Sequence, residues 1–177
     1  MSVLARNRSL SKLEFYKNAV CLRKQMTFLL LRDIGVKSRV RNLEIDAKNM
    51  EPEDRSAFLA ITGKYGIGRV PDDYPEWIIG KLRDSIWGYL REMMTNITRA
   101  YTIWATNLTE AYERRLAQDR AIASCESLLK ELELAIDILP VDAEKYMNYV
   151  DAIEREIALL KGWRKSDNKR IAELKKK

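Results

Sequence analysis

Histidine is absent from all 177 residues. Its absence removes Ser-His and Cys-His nucleophilic pairs and the commonest metal ligand. The Glu-x-x-His motif of di-iron helical bundles goes with it. Glycine (7) and proline (4) are scarce, which argues against a sheet protein rich in turns. Two cysteines, Cys21 and Cys125, cannot make a zinc site or a secreted disulfide framework. Both are read as small thiols on interior helix faces. Long apolar runs are missing too. The longest is Phe28-Leu29-Leu30-Leu31, whereas a membrane-spanning helix needs roughly 20 apolar residues. The basic start of the chain is not followed by an apolar signal core, so a cytoplasmic protein is expected. No cofactor or metal and no enzymatic activity are expected from this residue set.

What remains is hydrophobic residues at 46% and charged residues at 33%, with a net charge of +6. The charge is unevenly spread. Residues 1–50 carry eleven Lys/Arg against four Asp/Glu, and residues 161–177 carry eight against two. Residues 51–160 carry thirteen against twenty. A chain with basic ends and an acidic middle points to a polyanion or an acidic protein surface as partner. Lysine-rich ends can equally be solubilising tails, and composition alone does not separate the two.

Apolar periodicity organises the chain into helices. Ser11-Lys12-Leu13-Glu14 has the form of a capping box that opens a first helix. Leu13, Tyr16, Val20, Leu30 and Ile34 then recur at helical spacing, with Ala19, Cys21, Met26 and Phe28 widening the stripe. Gly35 stands where a left-handed cap would end it. Residues 36–75 form a long, partly irregular insert that begins with Lys37, Arg39 and Arg41. A short helix is expected over Pro52–Ile61. The cluster Gly63-Lys64-Tyr65-Gly66-Ile67-Gly68 lacks P-loop spacing and reads as a turn. From Pro75 the pattern resumes with Ile79, Leu82, Ile86, Leu90, Met93, Ile97, Tyr101 and Trp104.

A third stripe follows with no glycine or proline between: Leu116, Ile122, Cys125, Leu129, Leu132, Ile136 and Leu139. One helix over 75–139 would be about 97 Å long, too long for a domain of this size. Asn107-Leu108-Thr109-Glu110 is a helix start signal that breaks it. After Pro140, Asp142 caps a fourth helix with Tyr146, Val150, Ile153, Ile157 and Leu160 along its seam. The expected fold is all-α: an antiparallel four-helix bundle in one domain, 1–177. Its helices lie near 11–34, 76–105, 108–139 and 143–164, joined by the 36–75 insert and ending in a basic tail, 165–177.

Candidate contact residues gather late in the chain. Lys161, Arg164, Lys165, Lys169 and Arg170 crowd the end of helix four, with Trp163 among them. Arg114 and Arg115 form a second basic group. Cations with an interleaved aromatic suit RNA or single-stranded DNA, by neutralising phosphates and stacking on bases. The competing reading pairs Arg114 and Arg115 with Glu110 or Asp119 inside the bundle. Trp77, Trp87, Trp104, Met93 and Met94 exceed what one core needs, so a homo-oligomer larger than a dimer is expected.

Asn96-Ile97-x-x-Ala100 resembles the Asn-Ile-Ala pattern of the 23S rRNA intervening-sequence four-helix-bundle family. The stretch from Glu113-Arg114-Arg115 to Ser124-Cys125-Glu126 resembles one branch of it more closely. That branch is the accessory variability determinant (Avd) proteins of diversity-generating retroelements. Lys161-Gly162-Trp163-Arg164-Lys165-Ser166-Asp167-Asn168 and Arg32-Asp33-Ile34-Gly35 are similar to it as well. The resemblance implies a barrel-shaped homo-oligomer, typically a pentamer, with a basic surface. It implies binding to a reverse transcriptase and to template RNA or cDNA, supporting mutagenic cDNA synthesis without catalysing it. The 36–75 insert and the basic tail depart from the compact members. The alternative is a structural helical oligomer or protein–protein adapter with no nucleic-acid role.

Overall fold

The computed structural model describes residues 9–32, 34, 47–64, 76–139, 141 and 143–175, without the side chains of Glu76, Arg170 and Glu173. Every regular element among them is helical. A 3-10 turn at Leu10–Lys12 precedes α1 (Glu14–Leu31). Then come α2 (Pro52–Lys64), α3 (Glu76–Thr102), α4 (Leu108–Ile138) and α5 (Ala143–Leu174). The all-α expectation holds among the described residues. Gly35, Lys37, Arg39, Arg41, Tyr65, Gly66, Gly68, Pro75, Pro140 and Asp142 lie outside them.

The helix boundaries follow from local chemistry, with corrections. The Ser11–Glu14 capping box does not form. Ser11 lies within the 3-10 turn, its hydroxyl 2.6 Å from that of Ser9, and no side chain caps α1. At the end of α1 the left-handed residue is Ile34, at φ 57°. A β-branched residue there costs about 1–2 kcal/mol. Burial offsets it: Ile34 is fully buried, and its carbonyl accepts from the Tyr146 hydroxyl on α5.

The break between α3 and α4 stands as expected. Asn107 Oδ1 accepts from the Glu110 amide at 3.0 Å. Glu110 Oε2 reaches back to the Thr106 amide at 2.7 Å, so both free ends of the turn find partners. The Thr106 hydroxyl and then the Thr106 amide, with smaller contributions from Asn107, hold the Glu110 carboxyl below its usual range. The expected end of the fourth helix at 164 is wrong: α5 runs on to Leu174, so the basic tail is largely helical. No proline interrupts that stretch, and Ile171 is buried against Ala105 and Ala111 at the far end of the molecule.

One core joins α1, α3, α4 and α5. Leu22, Met26, Ile86, Leu90, Met93, Ile97, Leu128, Leu132, Ile153 and Leu160 are all less than 2% exposed. Side chains three or four residues apart on each helix supply this set, as amphipathic packing requires. Five stripe assignments fail, because Val20, Cys21, Phe28, Trp104 and Leu116 are exposed. Each sits beside a residue that takes the inward position: Ala19, Leu22, Leu29, Ala105 and Ala117. Leu31, Trp77 and Trp87 are also exposed. None of the described helices is long and apolar enough to cross a membrane.

Candidate nucleic-acid interface

Four of the basic residues singled out in the sequence, Arg114, Arg115, Lys161 and Arg164, meet at the seam between α4 and α5. As numbers rise along α4 from 115 to 119 to 126, their α5 partners fall from 168 to 164 to 161. This register brings Arg114 and Arg115 of α4 together with Lys161 and Arg164 of α5 along the seam.

Carboxylates share that surface and engage most of the cations. Arg114 Nε lies 2.6 Å from Asp167 Oδ2, and its Nη2 donates to Oδ1 at 3.2 Å. The fork geometry of this pair gives both strength and direction. Gln118 Nε2 adds a third donor to Asp167 at 2.7 Å, and Arg114 Nη1 donates to the Ile103 carbonyl at 3.2 Å. One guanidinium therefore fastens α4, α5 and the turn after α3. Arg115 donates to Asn168 Oδ1 at 3.2 Å and lies 3.9 Å from Asp119. Arg164 donates to the other Asp119 oxygen, and Lys161 meets Glu126 at 3.2 Å. The intramolecular pairing weighed for Arg115 is thus present with Asp119. Arg114 pairs instead with Asp167, which neither reading had named.

Trp163 is also engaged internally. Its ring stacks on Phe15 of α1, with centroids 4.2 Å apart and planes 9° apart. The Arg114 guanidinium carbon lies 5.4 Å from the same ring centroid, within cation–π range. Lys165 and Lys169 differ from their neighbours. They are one turn apart, exposed, and have no ion-pair partner among the described residues. Arg170 belongs to α5, but its side chain lies outside the described set.

Three features escaped the sequence reading. Asp167 and Gln118 occupy inward helical positions, and their spacing from Leu160 and Ile171, and from Ala121 and Cys125, could have marked them. Tyr112 is 48% exposed and carries Lys175 Nζ 5.8 Å from its ring centroid. An open groove of about 420 Å³ between α3 and α4 is lined by Tyr89, Glu92, Asn96, Arg120, Ser124 and Ser127. Asn96 is thus a groove residue, while Ile97 and Ala100 of the same motif are fully buried. Among the described residues, no group of three or more Cys, Asp or Glu is placed to hold a metal ion. Compared with protein-family models, with curated proteins and with solved structures, the chain finds no match.

Proposed function

We propose that this protein is a non-catalytic accessory that binds nucleic acid and a reverse transcriptase. It would support mutagenic cDNA synthesis, as the resemblance to accessory variability determinant proteins implies. The observation that carries the nucleic-acid half is the pair Lys165 and Lys169. Among the described residues they stand exposed and without carboxylate partners on α5, in a part of the sequence, 161–177, that holds eight cations against two anions. Because α5 stays helical to Leu174, Lys165 and Lys169 are displayed on a helix rather than on a loose tail. Arg164, Lys161 and Arg115 form the rim. Exposed ion pairs are worth about 0–1 kcal/mol, so phosphate can replace their carboxylates at little cost. Arg114 and Trp163 serve in this reading as supports for the surface.

An antiparallel arrangement of α1, α3, α4 and α5 in a four-helix bundle accounts for the paired registers. A cytoplasmic homo-oligomer, a pentamer by resemblance, accounts for the exposed Phe28, Leu31, Trp77 and Trp87. Those same side chains favour the second reading, a helical oligomer or adapter that binds protein alone.

Lys165→Glu/Lys169→Glu is the discriminating variant, because neither residue holds the fold. Reversing Arg164 instead would set a carboxylate against Asp119 and confuse folding with binding. Filter binding of a single-stranded RNA across a salt series should show affinity falling with salt. Loss of two phosphate contacts lowers the log–log slope by about 1.4. No binding by the wild-type protein at low salt would leave the adapter reading standing.

A further inference from the structure

Glu156 lies in the middle of α5 and is fully buried, an unusual place for a carboxyl side chain. Its position explains the burial. Ile153, Glu156 and Leu160 follow the three-then-four spacing of an inward stripe, so Glu156 occupies a core site. Its Oε2 accepts from Asn18 Nδ2 of α1 at 2.8 Å. Its Oε1 is buried with no hydrogen-bond partner. Asn18 also donates to the Ala152 carbonyl at 3.4 Å, one turn earlier on α5. The Asn18 amide is thus the polar tie between the two helices at this level.

Among the described residues no cation reaches the site. From α4 the titratable group that faces Glu156 is the buried Cys125 thiol, and proximity to Glu156 helps push that thiol up, after burial itself. From α1 the facing group is Asn18, which is uncharged. Among the described residues, α2 and α3 contribute no titratable or charged group to it. The nearby surface cations Arg155 and Lys161 are engaged with Glu14 and Glu126.

We propose that Glu156 is a proton-controlled latch on α1. As a neutral acid it accepts from Asn18 and lets α1 close on the core; as a carboxylate it loosens α1 from α5. The physical cause is the asymmetry of burial. A neutral carboxyl can rest in the core with one hydrogen bond, whereas a buried carboxylate needs a cation or several donors. One amide is not enough. Burial pushes the carboxyl up to about 7, and the Asn18 hydrogen bond opposes only part of that. Opening α1 lets the carboxylate reach water and uncovers the apolar face of Ala19, Leu22 and Met26.

Linkage fixes the sign. The folded value lies above the ordinary 4.5, so the stabilisation is complete below 4.5. It declines as pH rises toward 7 and is gone above it, where the curve flattens. Between pH 6 and pH 8 the opening equilibrium of α1 should rise about tenfold.

The test is hydrogen exchange on the full chain at pH 6 and pH 8, corrected for the intrinsic rates. The amides of α1 should lose about tenfold protection, and at pH 8 should exchange through an opening that leaves α3 protected. Glu156→Gln should remove the pH dependence. Carbon-detected NMR of the Glu156 carboxyl in the unaltered protein gives the same answer without a substitution, with a midpoint expected near 7. A midpoint below about 5 overturns the proposal. So does α1 protection unchanged by pH, α1 and α3 opening together at pH 8, or pH dependence retained in Glu156→Gln.

Discussion

Asp167 and Glu156 are carboxyl side chains on the same helix, roughly three turns apart, and they are held in opposite ways. Asp167 faces α4, and three hydrogen bonds reach it from Arg114 and Gln118. Glu156 faces α1, is fully buried, and receives one bond from an amide. The seam with α4 is fastened by charge matched to charge. The seam with α1 is fastened by apolar packing, an aromatic stack and a buried acid with a single donor. What separates the two sides of α5 is the supply of donors, because a carboxylate in a core is tolerated only when donors surround it.

The largest effect should come from removing Asp167. Its side chain is 19% exposed and that of Arg114 only 14%. Asp167→Ala strands the guanidinium and leaves the Gln118 amide without its acceptor. Breaking a largely buried pair costs about 3 kcal/mol. A urea midpoint should therefore fall by about 1–3 M, at the usual slope for a small protein. The double variant Arg114→Met/Asp167→Leu should lose less than Asp167→Ala alone, since no charge is then left unpaired. A loss below about 1 kcal/mol in the single variant would make the clasp an ordinary surface pair and erase the contrast.

How much of this was legible in the sequence depends on which physical signal each feature leaves. The helices over 76–102 and 108–138 leave two strong signals, periodic apolar residues and the Asn107 cap, and both point to the observed helices, although Trp104 and Leu116 fall outside the core. The end of α5 leaves a misleading one. Apolar residues thin out after Leu160, which looks like a tail, yet Ile171 and Leu174 suffice to seat the last turns against Ala105, Ala111 and Leu108. The start of α1 fails for a different reason. A Ser-x-x-Glu string specifies a cap only if the serine stands just outside the helix, and the 3-10 turn takes Ser11 inside.

The candidate interface was half legible. Charge counting located the basic region. It could not locate Asp167, Asp119 and Glu126, because the pairing of α4 with α5 is a tertiary register and not a sequence distance. Arg114 and Trp163 are the sharpest case. Both are chemically apt for nucleic acid, yet their positions on the inner edges of α4 and α5 turn them toward each other. Glu156 is hidden in the sequence by its neighbour Ile157, an apolar residue at an equally good seam position. Spacings of three and four residues from Ile153 fit equally well, and only packing decides between them.

A middle-sized effect belongs to the far end of the α1 seam. The Tyr146 hydroxyl donates to the buried carbonyl of Ile34, the residue held in the left-handed conformation. Tyr146→Phe keeps the ring but removes the donor. The stranded carbonyl should cost about 1–3 kcal/mol, measurable as a urea midpoint shift. Burial pushes the Tyr146 phenol well above its ordinary value, so its donor role should be constant across neutral pH. A change near zero would mean that water replaces the hydroxyl, and that this end of the seam is looser than the clasp by more than the comparison holds.

The smallest effect is expected at Arg155. Its guanidinium lies 3.0 Å from Glu14 on α1, which makes it the one charged tie identified across that seam among the described residues. Both side chains are about two-thirds exposed, at 64% and 66%. Water screens the attraction, and fixing two long side chains in one geometry costs entropy that offsets much of the gain. Arg155→Ala should therefore change stability by less than about 0.5 kcal/mol, and raising the salt concentration should shrink even that. Thermal or urea unfolding at two ionic strengths measures it. If Arg155→Ala cost as much as Asp167→Ala, and salt weakened the wild-type protein in parallel, α1 would be held by surface charge. Both faces of α5 would then obey the same rule, and an unpaired acid beneath α1 would no longer be the feature that sets that seam apart.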